Sequence, residues 1–171
     1  MLRLTDDQAR LFADAVAAAG DGGADEIAQI YADFERDRAV VKPKCDASGA
    51  CCRFEAYGHR LFITTIEMAA FVRSTRVPAD AAWDGTGCPY QKAGRCDAHA
   101  SRPFGCRVYF CDADTTAWQQ SQYERMHERL RSMHDRHGVP YLYVEWREAL
   151  KACGLASAGG SAGRSLPVLR R

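Results

Sequence analysis

Cysteine is the residue type in this chain whose number and spacing could do chemistry. Seven of the eight cysteines fall in two clusters along the 171-residue sequence, and Cys153 stands apart. The clustered cysteines are Cys45, Cys51 and Cys52, followed by Cys88, Cys96, Cys106 and Cys111. Thiolates are soft donors that bind zinc, copper(I) and iron–sulfur clusters. The sequence therefore predicts a metal centre on these seven side chains.

The spacing of the cysteines helps to distinguish a zinc site from an iron–sulfur site. Adjacent Cys51 and Cys52 would point to opposite sides of an extended chain and serve two centres, or meet at one centre in a tight loop. Cys106 and Cys111 are five positions apart, about 140° around a helix, which favours a loop around the centre. The sequence has no C-x2-C pair of the kind found in zinc fingers. An iron–sulfur cluster of the [4Fe–4S] type on four of the seven thiolates is therefore expected, with zinc in one or two sites as the alternative.

The apolar segments and the first residues of the sequence indicate a protein of a reducing compartment. The sequence has no run of about 18 apolar residues that could span a membrane. Its beginning, MLRLTDDQARLF, lacks the apolar segment and cleavage site of a secretory signal. Clustered cysteines in a reducing compartment are more often metal ligands or catalytic groups than disulfides. We therefore expect a cytoplasmic protein, and the missing signal argues against a secreted, disulfide-linked domain.

The net charge of +1 gives no reason to expect nucleic acid or an anionic membrane as a partner. The charge is unevenly distributed, however. Residues 1–38 hold nine acidic and four basic side chains, whereas residues 39–111 hold ten basic and six acidic ones. Positive charge lowers the pKa of a thiol and favours the thiolate that binds metal. Arg53 and Arg107 each follow a cluster cysteine, and they either stabilise thiolates or only solvate their loops.

The segment before the cysteines is typical of two helices. Thr5 and Gln8 form a capping box, and an apolar stripe continues until the sequence GDGG. This stripe consists of Leu11, Phe12, Ala15, Val16 and Ala19. A second helix is predicted to begin near Asp25, with an inner face of Ile27, Ile30, Tyr31 and Phe34. Residues 39–60 show no sustained periodicity.

Short elements are predicted between the cysteines. Residues 60–64 (RLFIT) indicate a strand, and Thr64 with Glu67 forms a second capping box for a helix that ends before Pro78. The sequence CPYQKAGRC indicates a hairpin with its turn near Ala93 and Gly94.

Helices are predicted again after the cysteines. The longest runs over about residues 118–137, and a last helical face is formed by Tyr143, Trp146, Leu150 and Cys153. We thus predict a mainly α (α+β) fold, with helices packed around an irregular, metal-stapled Cys-rich loop core with a short hairpin. One domain, 1–154, comprises a helical pair (1–40), the cysteine-cluster core (41–112) and C-terminal helices (113–154). Residues 155–171 are Gly/Ser-rich and predicted to be disordered.

The cysteine motifs resemble those of the YkgJ-like cysteine-cluster proteins, known for a CxxCxxCC motif and described as zinc- or iron-chelating domains. The match covers about residues 42–112, as CDASGACC, CPY, GRC and RPFGCRVYFC. Ser48 stands where the family has its second cysteine, so either a centre that relies on that position is altered or a cysteine there is not essential. The resemblance implies a metal centre. Similar domains occur in a flagellin lysine methylase, but no S-adenosylmethionine motif is found here, so that activity is not carried over.

Several other residues have two interpretations. His99 is either an additional imidazole ligand or a polar loop residue. Cys153 is interpreted as a small buried core residue, although it could replace a ligand if its helix packs against the loop. His127 and His134 are predicted to face solvent on the long helix.

Aromatic residues beside the cysteines also have two interpretations. Tyr90, Tyr109 and Phe110 either shield a redox centre from water or pack the loops.

The sequence therefore predicts a metal-centre protein with a redox or accessory role. The alternative is a structural zinc-binding module that interacts with a protein partner. Whether the chain is an enzyme is left open, because it has no self-contained catalytic motif beyond a forced pairing of Cys106 with His99. Neither nucleic acid nor a membrane is expected as a partner.

Overall fold

The cysteines lie in a mainly helical structure with two small pairs of strands. The computed structural model describes residues 3–75 and 83–156. The helices are α1 (Asp6–Ala19), α2 (Ala24–Val41), α3 (Phe54–Tyr57), α4 (Thr65–Ser74), α5 (Phe104–Val108), α6 (Thr116–His137) and α7 (Trp146–Ala152). The strands are β1 (Phe62–Thr64), β2 (Gln91–Lys92), β3 (Arg95–Cys96) and β4 (Tyr143–Glu145). This confirms the mainly α, α+β fold.

Both capping boxes begin helices where the sequence predicts them. The Thr5 hydroxyl accepts the Gln8 amide while the Gln8 side chain accepts the Thr5 amide, and Thr64 with Glu67 repeats this arrangement. One residue of the predicted inner stripe of α1 differs, because Leu11 is 60% exposed. It lies at the edge of a buried face that the other four stripe residues complete.

Strands β1 and β4 pair in antiparallel fashion and each leads directly into a helix. Thr64 pairs with Tyr143, and the Trp146 amide donates to the Leu61 carbonyl at 2.9 Å. The predicted helical face from Tyr143 onward is therefore wrong at its beginning, since this backbone is used in strand pairing and α7 begins only at Trp146. The strand pair places the beginnings of α4 and α7 side by side.

Two hydrophobic clusters are built around α4. The first joins α1, α4 and α7, and Cys88, Cys96 and Cys106 pack against it. The second joins α2, α5 and α6, with Ile66 of α4. The metal-ligand candidates are therefore associated with the first cluster.

The long helix α6 contains the predicted range and ends at Gly138, which has a φ of 62°. The prediction that His134 faces solvent is wrong, because it is only 1% exposed. Its Nδ1 lies 3.2 Å from the Val139 carbonyl oxygen, and His127 is half-buried with Nε2 2.6 Å from the Tyr141 hydroxyl. The chain after Gly138 folds back over this face of α6 and covers both imidazoles.

The predicted hairpin is confirmed. Strands β2 and β3 pair Lys92 with Arg95, and Ala93 and Gly94 turn with φ of 48° and 79°. Two positive φ values in succession are typical of a tight two-residue hairpin turn.

The predicted start of the disordered tail, at residue 155, is too early. Leu155 is buried, and its amide donates to the Leu150 carbonyl at 2.9 Å. Residues 157–171 and Pro78 lie outside the described residues. None of the helices within residues 3–75 and 83–156 combines the length and the apolar character needed to cross a bilayer.

Candidate metal centre

All seven clustered cysteines line one cavity of about 400 Å³. Cys52 is buried, Cys45 and Cys111 are exposed, and the other four are half-buried. The ends of the two cysteine-bearing segments meet, because the Lys44 amide donates to the Asp112 carboxylate at 2.9 Å. All eight cysteines carry free thiols. The structure thus brings together the residues that the sequence singles out.

Cys153 does not line this cavity. It is buried in the first hydrophobic cluster, and burial raises the pKa of its thiol to about 12. The interpretation of Cys153 as a core residue is therefore confirmed.

A single 3₁₀ turn, Ala50–Cys52, holds the adjacent cysteines on one side of the chain. Their sulfur atoms lie 3.9 Å apart, and both residues line the same cavity. The turn needs Gly49, whose φ is 70° and whose added Cβ would lie 2.9 Å from the Gly94 carbonyl oxygen. The Cys88 amide donates to the Cys52 carbonyl at 2.9 Å and joins the two cysteine clusters.

Cys52 interacts with three other thiols. Hydrogen bonds with Cys51, Cys88 and Cys96, in that order, raise the pKa of Cys52. The same hydrogen bonds have the opposite effect on the three partners. They are the main cause that lowers the pKa of Cys51 to about 6 and that of Cys96 to about 7, and they also lower the pKa of Cys88.

Cys106 approaches this group from helix α5, which corrects the prediction of a loop around Cys106. Pro103 has a φ of −64° at the beginning of α5 and favours a helical start. Burial raises the pKa of Cys106 well above its ordinary value, and the charges of Cys88, Cys51 and Cys96 add to this effect. A neutral thiol is a poor nucleophile, so this site gives no support to a pairing of Cys106 with His99 for catalysis.

Hydrogen-bond donors surround two of the sulfur atoms. The indole Nε1–H of Trp146 donates to Cys88 Sγ at 3.3 Å. The hydrogen bond to Cys52 is the largest cause that lowers the pKa of Cys88. The hydrogen bonds from the Trp146 indole and from the Tyr90 amide lower it further. The Ala98 amide acts in the same way on Cys96. Such bonds stabilise thiolate over thiol.

Two arginines, Arg95 and Arg102, line the cavity. The hydrogen bond to Cys52 is the largest cause that lowers the pKa of Cys51 and of Cys96. The positive charge of Arg102 lowers both pKa values further. Of the two arginines that the sequence singles out, Arg53 donates to the Ser48 carbonyl at 3.1 Å. Arg107 donates to the Arg102 carbonyl at 2.8 Å and thereby holds the loop.

Two polar side chains named by the sequence also lie at the cavity. His99 lies at the cavity and is largely exposed. Its pKa is lowered mainly because part of the ring is buried, and secondly because Arg102 carries a positive charge. Ser48 accepts the Ala50 amide at 3.4 Å through its hydroxyl. Ser48 therefore helps to form the turn that carries Cys51.

His59 is a residue that sequence reasoning missed. Its Nε2 lies 3.3 Å from the Cys51 carbonyl oxygen, and its ring stacks on Tyr109 at 5.1 Å. Its buried Nδ1 has no hydrogen-bond partner in the described part of the chain. It lies in the aperiodic segment 53–60, so only its residue type could have drawn attention to it.

Three aromatic rings form the floor of the cavity. Phe71 meets the rings of Tyr90 and Trp146 edge-on at 5.2 and 4.8 Å, and all three line the cavity. Tyr90 and Trp146 are each 2% exposed. The burial of Tyr90 fits both interpretations of this ring, shielding and packing, and Tyr109 also lines the cavity. Phe110 packs against the second hydrophobic cluster instead.

Across residues 3–75 and 83–156, no three His, Cys, Asp or Glu side chains are already arranged to hold a single metal ion. The seven cysteines nevertheless line one cavity. No protein-family model, curated protein or solved structure matches this chain. The YkgJ-like resemblance therefore stays a prediction from the cysteine motifs.

Proposed function

We propose that this protein binds a metal centre, an iron–sulfur cluster, with Cys51, Cys52, Cys88 and Cys96 as its thiolate ligands. The observation that carries the proposal is the lining of one cavity by seven cysteines, with the sulfur atoms of Cys51 and Cys52 3.9 Å apart. The resemblance of the cysteine motifs to YkgJ-like proteins supports the same function.

The surroundings of these thiols suit a redox centre. The aromatic floor keeps water away from one side of the cavity, and N–H groups donate to Cys88 and Cys96. Burial and hydrogen bonds to sulfur are among the factors that set the reduction potential of an iron–sulfur cluster. When bound, the cluster would supply one-electron chemistry, so we propose a redox or accessory role for this chain. We place it in the cytoplasm, where thiols stay reduced.

One distance favours zinc as a second candidate. Zn–S bonds of about 2.3 Å place the corners of a tetrahedron about 3.8 Å apart. The sulfur atoms of Cys51 and Cys52 lie 3.9 Å apart, which matches such an edge. With zinc the centre would be structural and closed, and the chain would act as an interaction module for a protein partner.

Metal analysis of anaerobically purified protein tests both candidates. Iron, zinc and acid-labile sulfide are counted on the sample that gives the ultraviolet–visible spectrum. A brown protein with about four irons and four sulfides per chain supports the iron–sulfur proposal. A colourless protein with stoichiometric zinc supports the structural alternative. A sample that holds no metal, even after anaerobic reconstitution, contradicts both.

A further inference from the structure

The aromatic floor carries two polar groups, the Trp146 indole N–H and the Tyr90 hydroxyl. The Trp146 indole N–H already donates to Cys88 Sγ at 3.3 Å. Tyr90 is 2% exposed, and its buried hydroxyl has no hydrogen-bond partner among the described residues. Both side chains line the cavity. They therefore form a pair of donors, of which only one is satisfied.

A buried hydroxyl without a partner is uncommon and unfavourable, because it has lost its bonds to water without replacement. The Tyr90 phenol is protonated at neutral pH, because the ordinary pKa of tyrosine is about 10. It is therefore a donor that lacks an acceptor. The neighbouring space is the cavity that the thiols line, so an acceptor would come from whatever that cavity binds.

We propose that Tyr90 and Trp146 are positioning residues that donate hydrogen bonds to metal-bound sulfur, Trp146 to the Cys88 thiolate and Tyr90 to a sulfur atom of the bound centre. This inference rests on the proposed function. The acceptor of Tyr90 is an inorganic sulfide if the centre is an iron–sulfur cluster, and a thiolate if it is zinc. In both cases the hydroxyl is satisfied only when the metal is bound.

This arrangement has two physical consequences. Groups that hydrogen-bond to metal ligands typically change metal affinity by about 10–100-fold when they are removed. Donors to sulfur also withdraw electron density from it, which favours the reduced state of a cluster. Tyr90 therefore raises both the affinity and the reduction potential of the centre.

The decisive variant is Tyr90→Phe, which removes one oxygen atom and leaves the ring that packs on Phe71. In the metal-free protein the change deletes an unsatisfied hydroxyl, so the melting temperature should rise. In the metal-loaded protein it deletes a hydrogen bond, so the melting temperature should fall and metal affinity should drop about tenfold. A purely structural role of Tyr90 would move both melting temperatures in the same direction.

Cobalt(II) is the spectroscopic probe, because its thiolate-to-metal charge-transfer bands report the electron density on sulfur. Both Tyr90→Phe and Trp146→Phe should shift these bands to lower energy. Tyr141→Phe and Trp118→Phe are the matched controls, since Tyr141 contacts His127 and Trp118 packs in the second cluster. Neither control should shift the bands. In an iron-loaded sample, Tyr90→Phe should also lower the reduction potential.

Two negative results are distinguishable. A wild-type protein that takes up neither iron, zinc nor cobalt overturns the proposed function, and this inference with it. A wild-type protein that loads metal, but whose Tyr90→Phe variant keeps its affinity, band energies and melting temperatures, overturns this inference alone.

Discussion

The carboxylate of Glu67 accepts a hydrogen bond from the backbone amide of Phe104 at 2.9 Å. The same side chain accepts the Tyr31 hydroxyl at 3.1 Å and the Thr64 hydroxyl at 3.0 Å. Glu67 is buried, so one carboxylate caps both its own helix and the beginning of α5, which carries Cys106. The capping box that opens α4 thus also anchors a wall of the cysteine cavity.

Glu67→Gln should destabilise the protein by about 2–3 kcal/mol. The NH2 group of glutamine is itself a donor, so it cannot accept the hydrogen bonds that the second carboxylate oxygen accepts from backbone and hydroxyl donors. Denaturant unfolding measures this change. Glu128→Gln on the exposed side of α6 is the control and should stay within about 0.5 kcal/mol of the wild type. Equal stability of the two variants would contradict the capping role of Glu67.

Cys52→Ser should lose metal and stability together, because the energy of metal binding in such a site is also folding energy. Metal counts and thermal unfolding on the same samples check this. Cys153→Ser is the matched control, since it buries a hydroxyl in the core away from the cavity. It should lower stability by about 1–3 kcal/mol and keep its metal content.

Arg102→Gln should weaken metal binding by about tenfold, as for other groups that surround metal ligands. In the metal-free protein it should raise the pKa of Cys51 and of Cys96, because Arg102 helps to hold them at about 6 and about 7. Alkylation of these thiols near neutral pH should then slow. Arg53→Gln is the control, and an equal slowing in that variant would argue against a specific effect of Arg102.

Removal of the metal should loosen residues 42–112 more than the rest of the chain. The second cluster holds α2 against α6 through Ile30, Phe34, Met126 and Leu130, and it includes none of the seven cysteines. Hydrogen exchange before and after anaerobic chelation should therefore show faster exchange in the cysteine segments and little change in α2 and α6. Uniform loss of protection would mean that the whole fold depends on the metal.

His134 should make the fold sensitive to mild acid. Burial is the main cause that lowers its pKa in the folded state below the ordinary 6.5, so the unfolded chain binds the proton more readily. Stability should fall as the pH drops from about 6.5 towards the folded-state pKa, by at most about 1.4 kcal/mol per pH unit for one proton.

His134→Gln should flatten this part of the pH profile, whereas His137→Gln should leave it in place. Carboxylates such as Glu26 and Glu55, whose pKa values are lowered, act only at lower pH. The lowered pKa values of Cys51, Cys96 and His99 also act between pH 5 and 8, so the effect of His134 is the difference between the unfolding profiles of His134→Gln and the wild type. An unchanged slope in His134→Gln would reject the assignment.

Local signals were sufficient to predict much of the fold. The capping boxes at Thr5 and Thr64 use residues three positions apart, and the turn at Ala93 and Gly94 is a two-residue pattern. Each is decided within a few residues, so the sequence alone indicates it. Clustering of the cysteines likewise needs no fold to be recognised.

Long-range contacts account for the rest. Tyr143 has helical spacing but pairs with Thr64, and His134 looks like a surface residue until the chain after Gly138 covers it. The capping of α5 by Glu67 and the bond from Trp146 to Cys88 join residues that are distant in sequence. No periodicity or spacing encodes such contacts, so the arrangement of sulfur atoms around Cys52 required the structure.

The contact between Trp146 and Cys88 also has a consequence for biosynthesis. The seven cysteines leave the ribosome before Trp146, so the nascent chain presents its thiols before the third ring of the cavity floor exists. A metal captured at that stage would be exposed on the side that α7 later covers. The cavity is therefore complete only after translation, once β4 has paired with β1 and Trp146 lies beside Cys88.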